Sequence, residues 1–180
     1  MYLEKQNSEI HVLRQGDILE NVHILGAINL QGINYEIDSS GDKISFRIPS
    51  RPNFGYVMVL SHSCEIDPSN LTKLTSIILA PLRDVNKATS AEKMDELIIS
   101  NLVDDSSTMS YLKYFYLEPT EFLPFPNGAI VDFSKCFSVR NKCYDILLSK
   151  KILQMKKDFS NKMALKFALY IYREAPMLLK

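Results

Sequence analysis

Short apolar runs separated by polar turns fill the first two thirds of the chain and predict β-strands. "YVMVLS" (56–61) and "LTSIILAPL" (74–82) are almost continuously apolar, which predicts two neighbouring strands buried on both faces. Pro81 is expected to end the second of them. "INYEID" (33–38) and "KISFRIP" (43–49) alternate apolar and polar residues on either side of "SSGD", which predicts a hairpin.

Further strands are expected before and after these runs. "RQGDIL" (14–19) indicates a turn at Gly16 that leads into a strand, and the glycine within "NVHILGAINL" (21–30) indicates a bend or bulge. "YFYLEP" (114–119) and "AIVDFSKCFSV" (129–139) are two later candidates, and the second alternates in polarity along its length. Most of the chain before residue 140 is therefore predicted to be β-structure.

Two segments carry apolar residues at helical spacing. The first, 88–102, has Ser90 as its candidate N-cap, and the second, 149–174, has Ser149 in that position. The expected apolar stripes are Met94, Leu97, Ile98 and Leu102 in the first segment, and Ile152, Met155, Phe159, Met163, Phe167, Tyr170 and Ile171 in the second.

Short strands joined by Gly and Pro turns favour a small antiparallel β-barrel. The predicted organisation is a β-barrel domain over 1–147, with a helix inserted near 88–102. A long basic amphipathic helix over 148–180 would pack on the barrel or extend from it.

Length and composition are those of an ordinary globular domain. The chain has 180 residues, of which 46% are hydrophobic and 23% charged, enough to bury a core. No apolar run reaches 18 residues, so no membrane-spanning helix is expected. The first residues contain no apolar signal region, so we expect a cytoplasmic protein.

Charge is divided unevenly along the chain. From Lys135 onward there are eleven Lys and Arg against three Asp and Glu, a net charge of +8, while the preceding residues carry ten against eighteen, a net charge of −8. This division favours a basic face for nucleic acid or an acidic partner, or else a solvated helix facing an acidic surface.

The three cysteines, Cys64, Cys136 and Cys143, do not predict disulfides or a metal centre. Their number is odd, the expected compartment is reducing, and no two lie at the spacing of a zinc ligand pair. We therefore expect no cofactor and no metal, with a zinc site built from Cys64, His62 and a later cysteine as the weaker alternative.

The stretch "SHSCEID" (61–67) places several chemically active side chains after a buried strand. If the strand continued, His62 and Cys64 would point the same way, and a thiolate at Cys64 would need a nearby cation. The plainer interpretation is that Cys64 is a buried apolar plug. Glu65 and Asp67 are either turn-capping acids or acid–base partners for His62.

Four motifs occur in an order that resembles a known family. They are "GDI" (16–18), "YVMVLS" (56–61), "SIILAPL" (76–82) and "IVDFSKCFSV" (130–139). Together, over about residues 12–140, they resemble the MazF/PemK family of toxin barrels. The resemblance implies an SH3-like β-barrel and, as the family activity, metal-independent cleavage of single-stranded RNA by a homodimer.

The chain departs from that family at its catalytic positions. The family has an arginine in an Arg-Pro-x-x-Val-x-Ser pattern, but counting back from Ser61 that position falls on Gly55, while Arg51 lies four residues earlier. The family's threonine position, just after the Ala-Pro-hydrophobic strand, falls on Arg83. Arg51 would need a bulged loop to reach the site, and Arg83 would stabilise a phosphate.

Two functions follow as expectations. The first is a divergent toxin-fold protein of a bacterial stress or phage-defence system that binds a protein partner (an antitoxin or a defence effector) or single-stranded RNA. Its candidate binding residues are Ser61, Cys64, Lys150, Lys156 and Lys157. The alternative is an endoribonuclease that uses Arg83, His62, Arg51 and Glu65.

Aromatic residues and the remaining histidines have plainer expectations. The cluster of Tyr111, Tyr114, Phe115 and Tyr116 would either stack bases or form an edge of the core. His11 and His23 are expected to be surface or packing residues.

Overall fold

The computed structural model describes residues 1–2, 11–24, 34–37, 44–47, 54–102 and 111–174. Over these ranges the chain is mainly antiparallel β-sheet with a few helices. The strands are β1 (Ile18–His23), β2 (Asn34–Ile37), β3 (Ile44–Arg47), β4 (Phe54–Val59), β5 (Ser76–Asp84), β6 (Tyr114–Leu117), β7 (Ala129–Asp132), β8 (Phe137–Arg140) and β9 (Lys151–Leu153). The α-helices are α1 (Met94–Ile99), α2 (Tyr144–Leu148) and α3 (Lys157–Glu174).

Seven strands form one sheet in the order β6-β7-β5-β4-β1-β9, and β8 also pairs with β5. The two apolar strands predicted as neighbours are β4 and β5, which pair antiparallel from Val57 opposite Pro81 to Val59 opposite Leu79. The predicted hairpin is also confirmed, since β2 and β3 pair antiparallel over their four residues.

Val57, Met58 and Val59 at the end of β4 are buried on both faces of the sheet, as the continuous apolar run predicted. Alternate residues of β4 enter different cores: Met58 packs with the residues that α3 covers, while Val57 and Val59 pack with Tyr144 and Leu147 of α2. A third, smaller cluster packs α1 against β6 and β7. Residues that are far apart in the sequence thus pack in shared cores around the central strands.

Pro81 does not end β5, contrary to the sequence prediction. The strand continues to Asp84 and changes partner near the proline: β8 pairs with it as far as Leu79, and β7 begins at Leu82. Pro81 thus lies in the gap between the two partners, where a missing backbone donor breaks no ladder on that side of β5.

The predicted helix over 88–102 is also much shorter than its periodicity indicated. A 3-10 turn at Ala91–Lys93 leads into α1, and a second 3-10 turn follows at Ser100–Leu102. Of the predicted stripe, Leu97 is fully buried and Met94 packs against the same cluster, whereas Ile98 and Leu102 are exposed. Half of the predicted stripe therefore faces a core.

The C-terminal helix begins eight residues later than predicted, at Lys157 instead of residue 149. The preceding residues form α2 and β9, and β9 pairs with β1, with Leu153 opposite Ile18. Sheet pairing thus overrides a helical pattern that residues 152 and 155 fit equally well. The stripe is confirmed within α3: Met163 is buried, and Phe159, Phe167 and Tyr170 pack against the same core, while Ile171 is exposed.

Candidate anion-binding site

A cavity of about 650 Å³ lies where three segments meet: the turn before β1, the turn after β4 and the start of α3. The volume is in the range of small-ligand sites. The residues that line it are Arg14, Gln15, His62, Ser63, Gln154, Met155, Lys157, Ser160 and Asn161. We call this space the α3 cavity.

The first wall is a tight turn that begins at Arg14. Asp17 Oδ2 accepts a hydrogen bond from the Arg14 backbone N–H at 2.7 Å, and the Asp17 N–H donates to the Arg14 carbonyl at 3.1 Å. Gly16 has φ +87°, and a Cβ at this position would lie 3.1 Å from Ser160 Oγ. Glycine therefore allows both the left-handed turn and the close approach of α3.

Gln15 ties all three segments together. Its backbone N–H donates to Ser63 Oγ at 3.1 Å, and its side-chain Nε2 donates to the Leu60 carbonyl at 2.7 Å. Its carbonyl accepts a hydrogen bond from Ser160 Oγ at 2.8 Å. The walls of the α3 cavity are thus cross-linked without a ligand, which lowers the entropy that binding must remove.

Three lining side chains are basic: Arg14, His62 and Lys157. Among the described residues that line the cavity there is no carboxylate. One of the three basic residues, Arg14, forms a long ion pair near the surface, with its Nη1 3.9 Å from Asp67 Oδ2, and pairs of this kind contribute little to stability. Lys157 opens an 18-residue helix, whose N-terminal backbone adds partial positive charge.

The hydrogen-bonding of His62 determines which ring nitrogen carries its proton. The Cys64 backbone N–H donates to His62 Nδ1 at 3.3 Å, so Nδ1 is an acceptor and the ring N–H is on Nε2. His62 is exposed, and in this tautomer it offers a donor. Its Nε2 N–H can therefore donate to an anion in the cavity.

Hydrogen bonds orient two neutral residues of the lining. Lys151 Nζ donates to Gln154 Oε1 at 3.1 Å, which holds this amide oxygen against Lys151. Ser63 Oγ accepts from the Gln15 backbone, so its hydroxyl hydrogen remains to be donated. The Ser63 hydroxyl thus adds a donor beside the basic side chains, and oxyanions bind such groups.

A buried ion pair supports this wall from behind. Lys151 Nζ lies 2.8 Å from Asp17 Oδ2, and the two side chains are 3% and 0% exposed. Asp17 Oδ1 has no hydrogen-bond partner within the described part of the chain. Burial raises the pKa of Asp17 to about 6, although Lys151 and the Arg14 N–H act to lower it.

Arg83 is not part of the α3 cavity. Its Nη1 donates to Asp132 Oδ2 at 2.8 Å, and this buried carboxylate also accepts from the backbone and hydroxyl of Ser134. The turn that carries His62 joins β5 at Ile78, and Arg83 lies five residues further on, roughly 17 Å at the rise of a β-strand. His62 and Arg83, which the sequence analysis proposed as catalytic partners, are therefore not brought together.

Three of the predicted binding residues differ in their positions. Ser61 is buried, and its Oγ accepts from the Ile78 N–H at 2.8 Å, a contact that joins β4 to β5. Lys150 Nζ donates to the Asn21 carbonyl at 2.6 Å beside β1. Lys156 is exposed next to Lys157 but does not line the cavity.

Cys64 is exposed, so the interpretation as a buried plug is wrong. The strand ends at Val59 and residues 61–67 form turns, so His62 and Cys64 do not share a strand face. Cys64 and Glu65 line a smaller cavity of about 300 Å³ with Asn70, Lys73 and Leu74. Asp67 caps a 3-10 turn by accepting from the Ser69 N–H, which confirms its capping role.

The other candidates are also accounted for. Arg51 lies outside the described residues. Phe115 and Tyr116 are buried, and Tyr111 and Tyr114 pack around α1, so the aromatic cluster is an edge of the core. His23 packs against Phe54, with 5.5 Å between ring centroids, and His11 is exposed.

Of the nine residues that line the α3 cavity, sequence reasoning named only His62 and Lys157 as candidates for a site. Arg14, Gln15 and Ser160 carry no motif, and the predicted early start of the C-terminal helix concealed the position of Lys157 at its true start. One signal could have pointed to the site: Arg14 and Gln15 directly precede Gly16, and turns carry binding residues at the surface.

Comparison with known proteins gives no family assignment: no protein-family model matches the chain, and no curated protein matches it significantly. Across the described ranges, no three His, Cys, Asp or Glu side chains are grouped to hold a metal ion. No helix in those ranges is long and apolar enough to cross a membrane.

Proposed function

We propose that this chain is a binding module that holds phosphate groups of single-stranded RNA in the α3 cavity. The observation that carries the proposal is the basic lining: Lys157 at the start of α3 and the Nε2 donor of His62 line one cavity, and Arg14, which also pairs with Asp67, adds positive charge to it. Phosphate oxygens accept hydrogen bonds from such groups, and they contribute most to nucleic-acid affinity.

The charge distribution supports RNA over an acidic protein partner. The segment from Lys135 onward carries a net charge of +8, and it includes the start of α3. A phosphate every few ångströms along a flexible strand can enter a cavity of this size, whereas a folded acidic surface cannot. We take the fold to be a divergent SH3-like barrel of MazF/PemK type, working in the cytoplasm in a bacterial stress or phage-defence system.

The test is RNA binding by fluorescence anisotropy with a labelled single-stranded oligonucleotide of mixed sequence. Lys157→Ala should weaken binding several-fold and lower the slope of log affinity against log salt by about 0.7, the loss of one phosphate contact. Lys162→Ala is the matched control, because Lys162 lies on the same helix over the Phe159 ring and outside the cavity.

The outcomes separate the classes of partner. Unchanged affinity in Lys157→Ala with a normal fold would contradict the proposed site. Absence of RNA binding together with binding of an acidic peptide would replace RNA by a protein partner, an antitoxin or a defence effector.

A second candidate function is metal-independent RNA cleavage, which one observation favours: His62 shares the cavity with two strong cations. Cleavage needs a base near the 2′-hydroxyl and a cation for the phosphate charge. Incubation of purified protein with long single-stranded RNA in EDTA would test it, beside His62→Ala and Arg83→Ala. Discrete products lost in His62→Ala alone would support cleavage in the α3 cavity.

A further inference from the structure

We propose that the base of a neighbouring nucleotide of the bound RNA occupies a second cavity, beside the turn that carries His62. This is the cavity of about 300 Å³ lined by Cys64, Glu65, Asn70, Lys73 and Leu74, and we call it the Cys64 cavity. The inference rests on the proposed function, because it extends the RNA site from one phosphate to the nucleotide next to it.

Consecutive residues of one turn line the two cavities. His62 and Ser63 line the α3 cavity, and Cys64 and Glu65 line the Cys64 cavity. Cα atoms two residues apart are at most about 7 Å from each other, a distance that one nucleotide spans. Because His62, Cys64 and Glu65 are all exposed, a strand with a phosphate beside His62 can place an adjacent base at Cys64.

Hydrogen bonds within the chain fix the walls of the Cys64 cavity. Asn70 Nδ2 donates to the Cys64 carbonyl at 2.8 Å, which joins the turn after β4 to the segment that leads into β5. The Lys73 and Leu74 N–H groups both donate to the Asn70 carbonyl, at 2.9 and 3.2 Å. A cavity held in shape in this way lowers the entropy that binding must remove.

The groups that line the Cys64 cavity suit a base better than a second phosphate. Its surface is mainly apolar, and its two charged lining residues, Glu65 and Lys73, oppose each other in sign. Asn70 uses its Nδ2 on the Cys64 carbonyl, which leaves Oδ1 as an acceptor. A phosphate offers only acceptors and negative charge, which Glu65 and Asn70 would repel, whereas a base has an apolar face and N–H groups at its edge.

The first test is alkylation of the cysteines with iodoacetamide, in the presence and absence of the mixed-sequence oligonucleotide, with mass spectrometry of each cysteine peptide. A base in the cavity should slow the alkylation of Cys64 several-fold more than that of Cys136, which is also exposed. An abasic oligonucleotide of the same length is the control for the effect of phosphate charge alone. It should protect Cys64 much less than the intact chain.

The second test is fluorescence anisotropy with a matched pair of leucine variants. Leu71 and Leu74 pack against the same core, but of the two only Leu74 lines the cavity. Leu74→Ala should weaken RNA binding by about threefold or more through lost apolar contact, without changing the salt slope. Leu71→Ala should bind RNA as the wild type does. Lys157→Ala lowers the slope, so the slope separates a base contact from a phosphate contact.

Failure of this inference is distinguishable from failure of the proposed function. Equal protection of Cys64 by intact and abasic chains, or equal RNA affinities of the two leucine variants, would overturn the inference. RNA binding that Lys157→Ala weakens would still leave the proposed function intact. Protection of Cys64 by intact RNA alone, with unchanged affinity in Lys157→Ala, would support the base cavity and contradict the phosphate site. Absence of RNA binding would overturn both.

Discussion

Lys151 and Asp17 form an ion pair of 2.8 Å with almost no exposure to solvent. Lys151 Nζ also donates to the Val12 carbonyl at 3.0 Å and to Gln154 Oε1, so its three donors are used. Asp17 in turn holds the Arg14 N–H. One buried pair thus connects β9 to two walls of the α3 cavity, and its ionisation affects both stability and the site.

Lys151→Met should destabilise the fold by about 3–5 kcal/mol at neutral pH, because it leaves the Asp17 carboxylate buried without its cation. The pKa of Asp17 is raised to about 6 in the folded chain, so this group contributes stability below about pH 4 that is lost as the pH rises through 6. The cost of the substitution should therefore be smaller near pH 5, where the carboxyl is protonated.

Urea denaturation at about pH 7.5 and pH 5 would measure the two costs. Lys150→Met is the matched control, since the neighbouring Lys150 bonds only a carbonyl among the described residues and is not expected to show the pH dependence. Equal costs for Lys151→Met at both pH values would mean that Asp17 does not change its charge between them.

Lys166→Met should stabilise the fold at slightly acid pH. Lys166 is 1% exposed and donates to Ser100 Oγ at 2.7 Å and to Asn101 Oδ1 at 3.4 Å, and none of the described residues pairs a carboxylate with it. Burial lowers its pKa to about 7. Removing a charge held in that position should raise the free energy of unfolding by a few kcal/mol.

The sign of the pH dependence follows from the depressed pKa. Between about pH 7 and 10.5 the unfolded chain binds the proton more strongly, so the wild-type stability rises with pH across that window. The advantage of Lys166→Met over wild type should therefore shrink from pH 6 to pH 9 in denaturation experiments. Lys162→Met, on the exposed face of α3, should show no such trend; an advantage that stays constant would contradict a buried neutral lysine.

Much of the sheet could be predicted from sequence because its signals are local. The runs around Met58 and Leu79 are continuously apolar, a pattern typical of strands that are buried on both faces. The two alternating segments between residues 33 and 49 predict a hairpin. The basic cluster at Lys156 and Lys157 was also visible. These inferences depend on periodicity and charge, which the chain carries in consecutive residues.

The errors occurred where distant contacts decide the local structure. Ile152 and Met155 fit a helix stripe, but the unpaired edge of β1 takes Lys151–Leu153 as a strand. Arg83 was given a phosphate-binding role, although Asp132, 49 residues away, holds it. The α3 cavity joins three segments through Gln15, and no spacing rule relates residues 15, 62 and 160.

Gln15→Ala should weaken RNA binding several-fold while costing only about 1 kcal/mol of stability, the typical contribution of one hydrogen bond. In the wild type, the bond from Gln15 Nε2 to the Leu60 carbonyl holds the turn that carries Arg14 beside the turn that carries His62. The substitution removes this bond. Asn141→Ala is the control, because it removes a comparable 2.7 Å amide bond to the Leu71 carbonyl outside the cavity. Equal RNA affinities in the two variants would show that the cross-link does not shape the site.

Arg83→Ala should destabilise the fold by about 1–2 kcal/mol without changing RNA affinity. Its side chain is 38% exposed, which reduces the value of the pair, but Asp132 is 1% exposed and would lose its only basic partner among the described residues.

Cys64→Ala should cost less than about 0.5 kcal/mol, because Cys64 is exposed. Thermal denaturation with anisotropy would check both, and a loss of RNA affinity in folded Arg83→Ala would return Arg83 to the site.

His62→Gln and His62→Ala together separate binding from cleavage. Glutamine can accept the Cys64 N–H through Oε1 and present Nε2 as a donor, as His62 does, so its RNA affinity should stay within about threefold of wild type. Alanine removes the donor and should weaken binding by about tenfold or more, because a hydrogen bond to a charged group contributes about 1.5–3 kcal/mol. An amide cannot take a proton from a 2′-hydroxyl, so a ribonuclease would lose its activity in both variants. Retained binding in His62→Gln with no cleavage by wild type would make His62 a phosphate donor, whereas cleavage by wild type that both variants abolish would make it a general base.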